Sequence, residues 1–268
     1  MDPFCGSGTT LVQSNELGMH AIGIDISAFN AMISNSKFEK HNIPQIREAI
    51  REITLKLEDF QKTKTNIAFE EYLLAELAKF NYKYFPSPEY KRKVSRSEIN
   101  EKEYSKDKEE EFLCIYNDLV EKYKIKIKQD KNGSFLDKWF LSPVREEIDF
   151  LFNELKKIDN TDIKRILAII LNRTVRSCRA TTHADLATLK EPVTTTYYCK
   201  KHGKICKPIF SIKGWWERYT IDTLSRLRQF DRLRIETFQI CLTGDSRTID
   251  ILGEVKKKKP QFAELLQE

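Results

Sequence analysis

The chain has 268 residues, 40% of them hydrophobic and 32% charged, with a formal net charge of +6 at pH 7. That length buries a core of one large domain or two small ones. No stretch of about eighteen apolar residues offers a membrane span and no basic, apolar leader precedes Asp2, so a soluble protein of the cytoplasm is expected. Lys and Arg crowd into residues 91–108, 122–131 and 200–234. The six cysteines, at 5, 114, 178, 199, 206 and 241, read as reduced thiols or metal ligands rather than disulfides.

In chain order, Asp2-Pro3-Phe4 reads as the tail of a strand, followed by a tight Gly/Ser/Thr loop. Residues 9–18 carry a helical pattern (Leu11, Val12, Leu17) that stops at Gly18. His20 to Asp25 reads as a short buried strand ending on an acid, and Phe29 to Lys40 as a second helix. This strand–loop–helix–strand–acid–helix order is half of a nucleotide-binding wound sheet. Two amphipathic helices follow within 44–85, one with Ile46, Ile50, Ile53, Leu57 and Phe60 on a face, the other with Phe69, Leu73, Leu77 and Phe80. Residues 86–111 are charged and lack apolar periodicity, which predicts a mobile loop or an exposed helix. Helices are predicted at 112–124, 143–157 and, as a core element, 162–176. Residues 177–214 lose helical periodicity, with Thr194 to Tyr198 β-prone. A long basic helix at 215–236, an apolar strand from Gln239 to an acid at Asp245, and a Lys-rich helix or tail at 254–268 complete the chain.

A nucleotide or adenosyl ligand needs close backbone approach. Gly6 and Gly8 remove the Cβ atoms that would block it and permit positive φ. The helix that follows offers free N–H groups to polar ligand atoms. Asp25, at the end of the next strand, stands where an acid accepts ribose hydroxyls. The longer string Asp-Pro-Phe-Cys-Gly-Ser-Gly-Thr-Thr-Leu-Val at 2–12 resembles motif I of the DNA amino-methyltransferases, which modify adenine N6 or cytosine N4. Gly23-Ile-Asp25-Ile-Ser27 resembles motif II, and Gly244-Asp245-Ser246-Arg247 resembles motif III. Lys138-Trp-Phe140, Arg176-Ser-Cys-Arg179 and His183-Ala-Asp-Leu186 look like less familiar members of the group. The Asp-Pro-Phe opening differs from the Asp-Leu-Phe of cytosine-C5 enzymes.

The resemblance implies an α/β fold: a Rossmann-like class I methyltransferase sheet, incomplete in this chain, with a large and mainly helical insert. It implies S-adenosylmethionine as cofactor, held by the loop Asp2, Pro3, Phe4, Cys5, Gly6, Gly8, Thr9 and Thr10. Asp2, Phe4, Gly6 and Gly8 would line the methionine side, and Thr9 and Thr10 would cap the helix and touch the carboxylate. Asp25, with Ile26 and Ser27, would hold the ribose, and Asp245, with Ser246, the adenine edge. An ordinary turn acid is the plainer reading of Asp245.

Amino-methyltransferases also carry an Asp/Asn/Ser-Pro-Pro-Tyr/Phe tetrapeptide that accepts hydrogen bonds from the target amine and stacks on the flipped base. No Pro-Pro occurs in this chain, and neither Phe85-Pro86-Ser87-Pro88 nor Leu141-Ser142-Pro143 fits. The tetrapeptide is expected to end the strand after Asp245, and only Met1 precedes Asp2 where a central strand carries several apolar residues. The expectation is therefore one subunit of a split enzyme, a heterodimer in a prokaryotic restriction-modification system. Its partner would supply the tetrapeptide, and the target would be an exocyclic amine in double-stranded DNA. A fragment of a longer enzyme is the other explanation. A non-catalytic DNA-recognition subunit and an RNA or protein methyltransferase subunit are the competing functions.

The expected organisation is a cofactor part at 1–43, a helical DNA-recognition insert at 44–236, and a return strand with motif III at 237–268. Arg176, Arg179, His183, Lys200, Lys201, Lys213 and Arg218 are the expected DNA contacts. Trp215, Trp216 and Tyr219 among them either face DNA or pack the helix onto the core. Cys199, His202 and Cys206 have C-x2-H-x3-C spacing, and Cys178 or His183 is available as a fourth ligand. The set Cys178, Cys199, His202 and Cys206 is the expected structural zinc site, against a plain β-hairpin with a buried Cys and an exposed His202.

Overall fold

The computed structural model describes residues 1–129, 133–183 and 188–265. The Ala184-Asp185-Leu186 part of the expected resemblance and the end of the C-terminal tail lie outside the described residues. The element order is α1 (Thr9–Glu16), β1 (Ala21–Asp25), α2 (Ala28–Phe38), α3 (Ile43–Lys62), α4 (Asn66–Tyr84), α5 (Glu89–Ser95), α6 (Glu101–Tyr123), α7 (Phe135–Trp139), α8 (Ser142–Lys156) and α9 (Thr161–Ser177). Then come β2 (Tyr197–Cys199), β3 (Lys204–Cys206), α10 (Lys213–Leu233), β4 (Gln239–Thr243), α11 (Ile251–Lys258) and α12 (Pro260–Leu265). The fold is mostly helical with a small parallel sheet. No described helix is long and apolar enough to cross a membrane.

The chain divides into two units. The first is Met1–Arg51, Leu155–Ile170 and Arg218–Glu268; the second is Glu52–Glu154 and Leu171–Glu217. The first unit thus takes in 155–170 and 218–236, which the sequence pattern groups with the insert.

In the first unit β1 and β4 pair in parallel, from Ala21 opposite Gln239 to Asp25 opposite Thr243. Asp2 adds a single parallel bridge to Gly23, its N–H donating to the Ile22 carbonyl and its own carbonyl accepting from the Ile24 N–H, both at 2.9 Å. Side chains alternate across a strand, and both faces of this sheet are apolar. Ala21 and Cys241 pack with Leu11, Ala31, Phe38 and Phe230. Ile22, Ile24, Ile240 and Leu242 pack on the other face with Val255, Phe262 and Ala263. That double burial is why these strands read as continuous apolar runs. The outer edge of β4 is closed by a side chain. The Asn35 amide donates to the Cys241 carbonyl at 2.9 Å and its oxygen accepts from the Cys241 N–H at 3.0 Å. These are the two bonds a further strand would make to Cys241, so Asn35 closes this edge of the sheet.

The second unit holds the apolar helix faces the sequence predicts: Ile53 and Leu57 of α3 and Phe69, Leu73, Leu77 and Phe80 of α4 are buried. The charged stretch 86–111, expected as a mobile loop or an exposed helix, forms α5 and the first half of α6, with Tyr90 buried. Asn100 caps α6, its side chain accepting from the N–H groups of Lys102 and Glu103. Trp216 is fully buried and donates its indole N–H to Thr54 Oγ1 at 2.9 Å, so it packs a helix rather than facing solvent.

Glu147 lies buried in this unit. It accepts from the Gln61 amide at 2.8 Å and from the Ile212 N–H at 2.7 Å. Burial, opposed by these bonds, raises its carboxyl from 4.5 to about 7. A folded value above the unfolded one means the native state holds the extra proton, so stability falls as pH rises from 4.5 to about 7. The full effect is about 3 kcal/mol. Urea unfolding at several pH values is expected to show that slope in the wild type, and Glu147→Gln is expected to flatten it.

Candidate functional site

The opening loop is built around one carboxylate. Asp25 Oδ2 accepts from the Gly6 N–H at 2.8 Å, and Oδ1 accepts from the Ser27 N–H at 2.8 Å and the Asn30 amide at 3.2 Å. One side chain therefore ties the loop, the end of β1 and the start of α2. Ser27 caps α2, accepting from the Asn30 N–H. Asp2 Oδ1 accepts from the Phe4 N–H at 3.0 Å, and the Cys5 N–H donates to the Ile24 carbonyl at 2.9 Å. The loop thus lies along β1.

Two glycines are required by close approach. Gly8 has φ of +79°, and a Cβ there would lie 2.7 Å from Ser34 Oγ. Gly23 faces the loop, where a Cβ would lie 2.4 Å from Cys5 Sγ. Ser34 Oγ in turn donates to the Gly6 carbonyl at 3.0 Å. Gly8 is the N-cap of α1, and no side chain caps that helix. Thr9 and Thr10 occupy its first turn, at the positive end of the helix dipole. Beside the loop stand two strongly exposed apolar side chains, Phe4 at 85% and Ile26 at 81%. Pro3 is exposed between Asp2 and Phe4.

β4 delivers the third element to the same end of the sheet. The Gly244 N–H donates to the Asp25 carbonyl at 3.0 Å. Asp245 follows, with its carbonyl accepting from the Thr248 and Ile249 N–H groups, and Ser246 sits in that turn. The Arg247 guanidinium pairs with the Asp245 carboxylate at 2.6 Å and holds it below the usual range. Asp2, Asp25 and Asp245 thus all lie at the carboxyl ends of adjacent parallel segments, where open α/β sheets bind ligands. Cys5 is buried there. Its thiol is lowered to about 7, chiefly by the hydrogen bond from Cys241, which is itself pushed up. Its burial removes it from nucleophilic work. Ser34, Asn30 and Asn35 support the site, and sequence reasoning does not single them out. Their nearest signal is a polar face on a helix that immediately follows the strand-end acid.

The arrangement offers a small ligand a place for an anion, a hydroxyl acceptor and apolar surface. Helix-end N–H groups suit an anion. Asp25 has used three of about four acceptor positions, which leaves one for a hydroxyl. Phe4 and Ile26 offer apolar surface.

The second unit holds the other predicted residues. The β2–β3 hairpin pairs antiparallel, Tyr197 opposite Cys206, and turns at Gly203, φ +64°. Asn81 grips Ile205 through two 2.9 Å bonds, and Tyr198 Oη donates to Glu101 at 2.8 Å. The hairpin brings Cys199, His202 and Cys206 together, and His183 joins them. One ligand atom from each of the four lies within 4.8 Å of all the others. Cys178, the fourth ligand of the expected set, is not in this cluster. It is buried at the end of α9 with its thiol pushed up by that burial. Burial raises Cys206 to about 12 and lowers both His183 and His202, with nearby lysines adding to the fall.

Of the expected DNA contacts, Arg176, Lys200, Lys201 and His183 are exposed in this unit. Arg179 is half-buried and donates to the Arg176 carbonyl. Lys213 is engaged by Glu58 at 2.8 Å and Glu217 at 3.8 Å. Arg218 is exposed and belongs to the first unit. Lys200, Lys201 and Lys204 lie on the hairpin with His183 next to it, while Arg176 and Arg179 lie at the end of α9.

Comparison with known proteins agrees with the loop. A family model described as DNA methylase matches residues 1–36. The chain is 43% identical to the type II methyltransferase M.MjaII of Methanocaldococcus jannaschii, over 99% of its own length. It spans 50% of that relative. No solved structure matches. The opening loop and the strand-end acids beside it thus agree with a chain that is similar to DNA methyltransferases, to the family model over its first residues and to M.MjaII over nearly its whole length.

Proposed function

We propose that this chain is the cofactor-binding portion of a site-specific, S-adenosylmethionine-dependent DNA methyltransferase acting on cytosine N4 or adenine N6 in duplex DNA. The observation that carries the reading is the convergence of the opening loop, Asp25 and Gly244-Asp245 at one end of adjacent parallel segments. That convergence is what the crevice of a Rossmann-like sheet would present, and it supports the reading.

S-adenosylmethionine supplies an activated methyl group. Asp2, Phe4, Gly6 and Gly8 hold its methionine side, and the uncapped first turn at Thr9 and Thr10 receives the carboxylate. Asp25 takes a ribose hydroxyl, with Ile26 and Ser27 beside it. Asp245 and Ser246 face the adenine edge, and Asp245 shares its carboxylate between that role and Arg247. The target amine must point its lone pair at the methyl and give up a proton. The Asp/Ser-Pro-Pro-Tyr tetrapeptide that performs this is absent from these 268 residues. In this reading a partner subunit of a split restriction-modification enzyme supplies it, adding strands on the Asp2 side of the sheet. The closed outer edge of β4 supports growth on that side. The half of the M. jannaschii relative that this chain does not span supports a second polypeptide segment. DNA meets the basic hairpin face of Lys200 and Lys201 together with Arg176, and the target base flips into the shared pocket.

Titration calorimetry tests the cofactor role. S-adenosylmethionine is expected to bind the chain, or the chain with its partner. Asp25→Ala is expected to weaken binding at least about 10-fold, because it removes both a charge-assisted hydrogen bond to the ligand and the bonds that hold the loop to β1 and α2. No heat in either setting rejects the reading. For DNA, the double variant Lys200→Ala, Lys201→Ala is expected to weaken duplex binding uniformly across sequences. It is also expected to make the slope of log K against log salt shallower by about one for each phosphate no longer neutralised.

A further inference from the structure

The cluster of His183, Cys199, His202 and Cys206 is not used by the cofactor site. Its chemistry is specific. Two thiols and two imidazoles are the donors that select zinc over the oxygen-loving cations. With the usual Zn–S and Zn–N lengths, the edges of a tetrahedral site are about 3.3 to 3.8 Å. His202 Nδ1 lies 3.5 Å from Cys206 Sγ, which is already such an edge. All four ligand atoms fall within 4.8 Å, so small side-chain rotations complete the set.

The surroundings pre-form it. The Cys199 carbonyl accepts from the N–H groups of His202 at 3.1 Å and Gly203 at 2.7 Å. This tight turn puts two ligands on one side of the hairpin. Gly203 has φ of +64°, and a Cβ there would meet Lys91 Cε at 2.7 Å. Tyr197 Oη lies 2.8 Å from His183 Nδ1 and accepts from the His183 backbone N–H at 3.1 Å. A proton on Nδ1 donates to that phenol and leaves Nε2 as the nitrogen with the free lone pair, the outer-shell arrangement that orients a ligating histidine. Both cysteines are buried while both histidines are exposed, which places the open corner of the set at the surface, where an ion can enter.

We propose that His183, Cys199, His202 and Cys206 bind one zinc ion that clasps the β2–β3 hairpin to the stretch after α9 that carries His183. Binding releases two thiol protons to solvent, and the two thiolates balance the ion's charge. The clasp fixes the hairpin that carries Lys200, Lys201 and Lys204 on an exposed turn. It stands whether or not the cofactor reading holds, because its readout is the metal itself.

The test uses the full chain, purified without chelator. Elemental analysis is expected to give about one zinc per chain. Replacement by cobalt is expected to give the visible bands of a tetrahedral site with thiolate charge transfer. Cys199→Ser and Cys206→Ser are expected to abolish both. His183→Ala, at an exposed position, is expected to weaken zinc at least tenfold against a chromophoric chelator. Tyr197→Phe is expected to weaken it about 10- to 100-fold. Cys178→Ala is expected to keep full stoichiometry. Wild-type chain without zinc and without tetrahedral cobalt bands overturns the site. Unchanged affinity in His183→Ala, or loss of metal in Cys178→Ala with an unchanged circular dichroism spectrum, overturns this ligand set.

Discussion

The Asp25 carboxylate is the group on which the first unit depends. It receives the loop through the Gly6 N–H, the start of α2 through Ser27 and Asn30, and its own backbone carbonyl receives Gly244 from β4. Three segments far apart in sequence are thereby held at one sheet end. A carboxylate serves where a neutral side chain would not, because charge-assisted bonds to N–H groups are about twice as strong as neutral ones. Gly8 and Gly23 are consequences of that packing: the loop lies so close to α2 and β1 that a Cβ at either position meets Ser34 or Cys5.

The two edges of the small sheet differ. Asn35 satisfies the outward backbone groups of Cys241 and so ends the sheet at β4. On the other side, among the described residues, stands the Asp2 bridge. In the proposed function, strands added on that side lie beside the opening loop. The chain's similarity to half of a larger methyltransferase fits that geometry.

Local chemistry was legible in the sequence and distant chemistry was not. The β1 strand and its terminal acid are readable because both faces of the strand are buried, so Ala21 to Ile24 form one apolar run. Helices α3 and α4 show their buried faces at helical spacing. The stretch 86–111 leaves a mobile loop and an exposed helix both open, and exposed helix is what forms, because α5 and α6 bury few side chains there. Their helicity rests instead on the Asn100 cap and on surface pairs such as Lys108–Glu111. Among possible zinc ligands, the C-x2-H-x3-C hairpin could be found by spacing. The choice between Cys178 and His183 depends on how the chain folds back after α9, and no spacing encodes it. Asn35 and Ser34, which brace the sheet edge and the loop, look in sequence like ordinary polar helix residues.

The central claim is that the cofactor sits at the carboxyl ends of Asp2, β1 and β4. Amide hydrogen exchange with and without S-adenosylhomocysteine addresses it residue by residue. The account predicts slowed exchange at residues 4–10, 25–27 and 244–248 and no change in the hairpin at 197–206. Slowed exchange confined to other segments would contradict it.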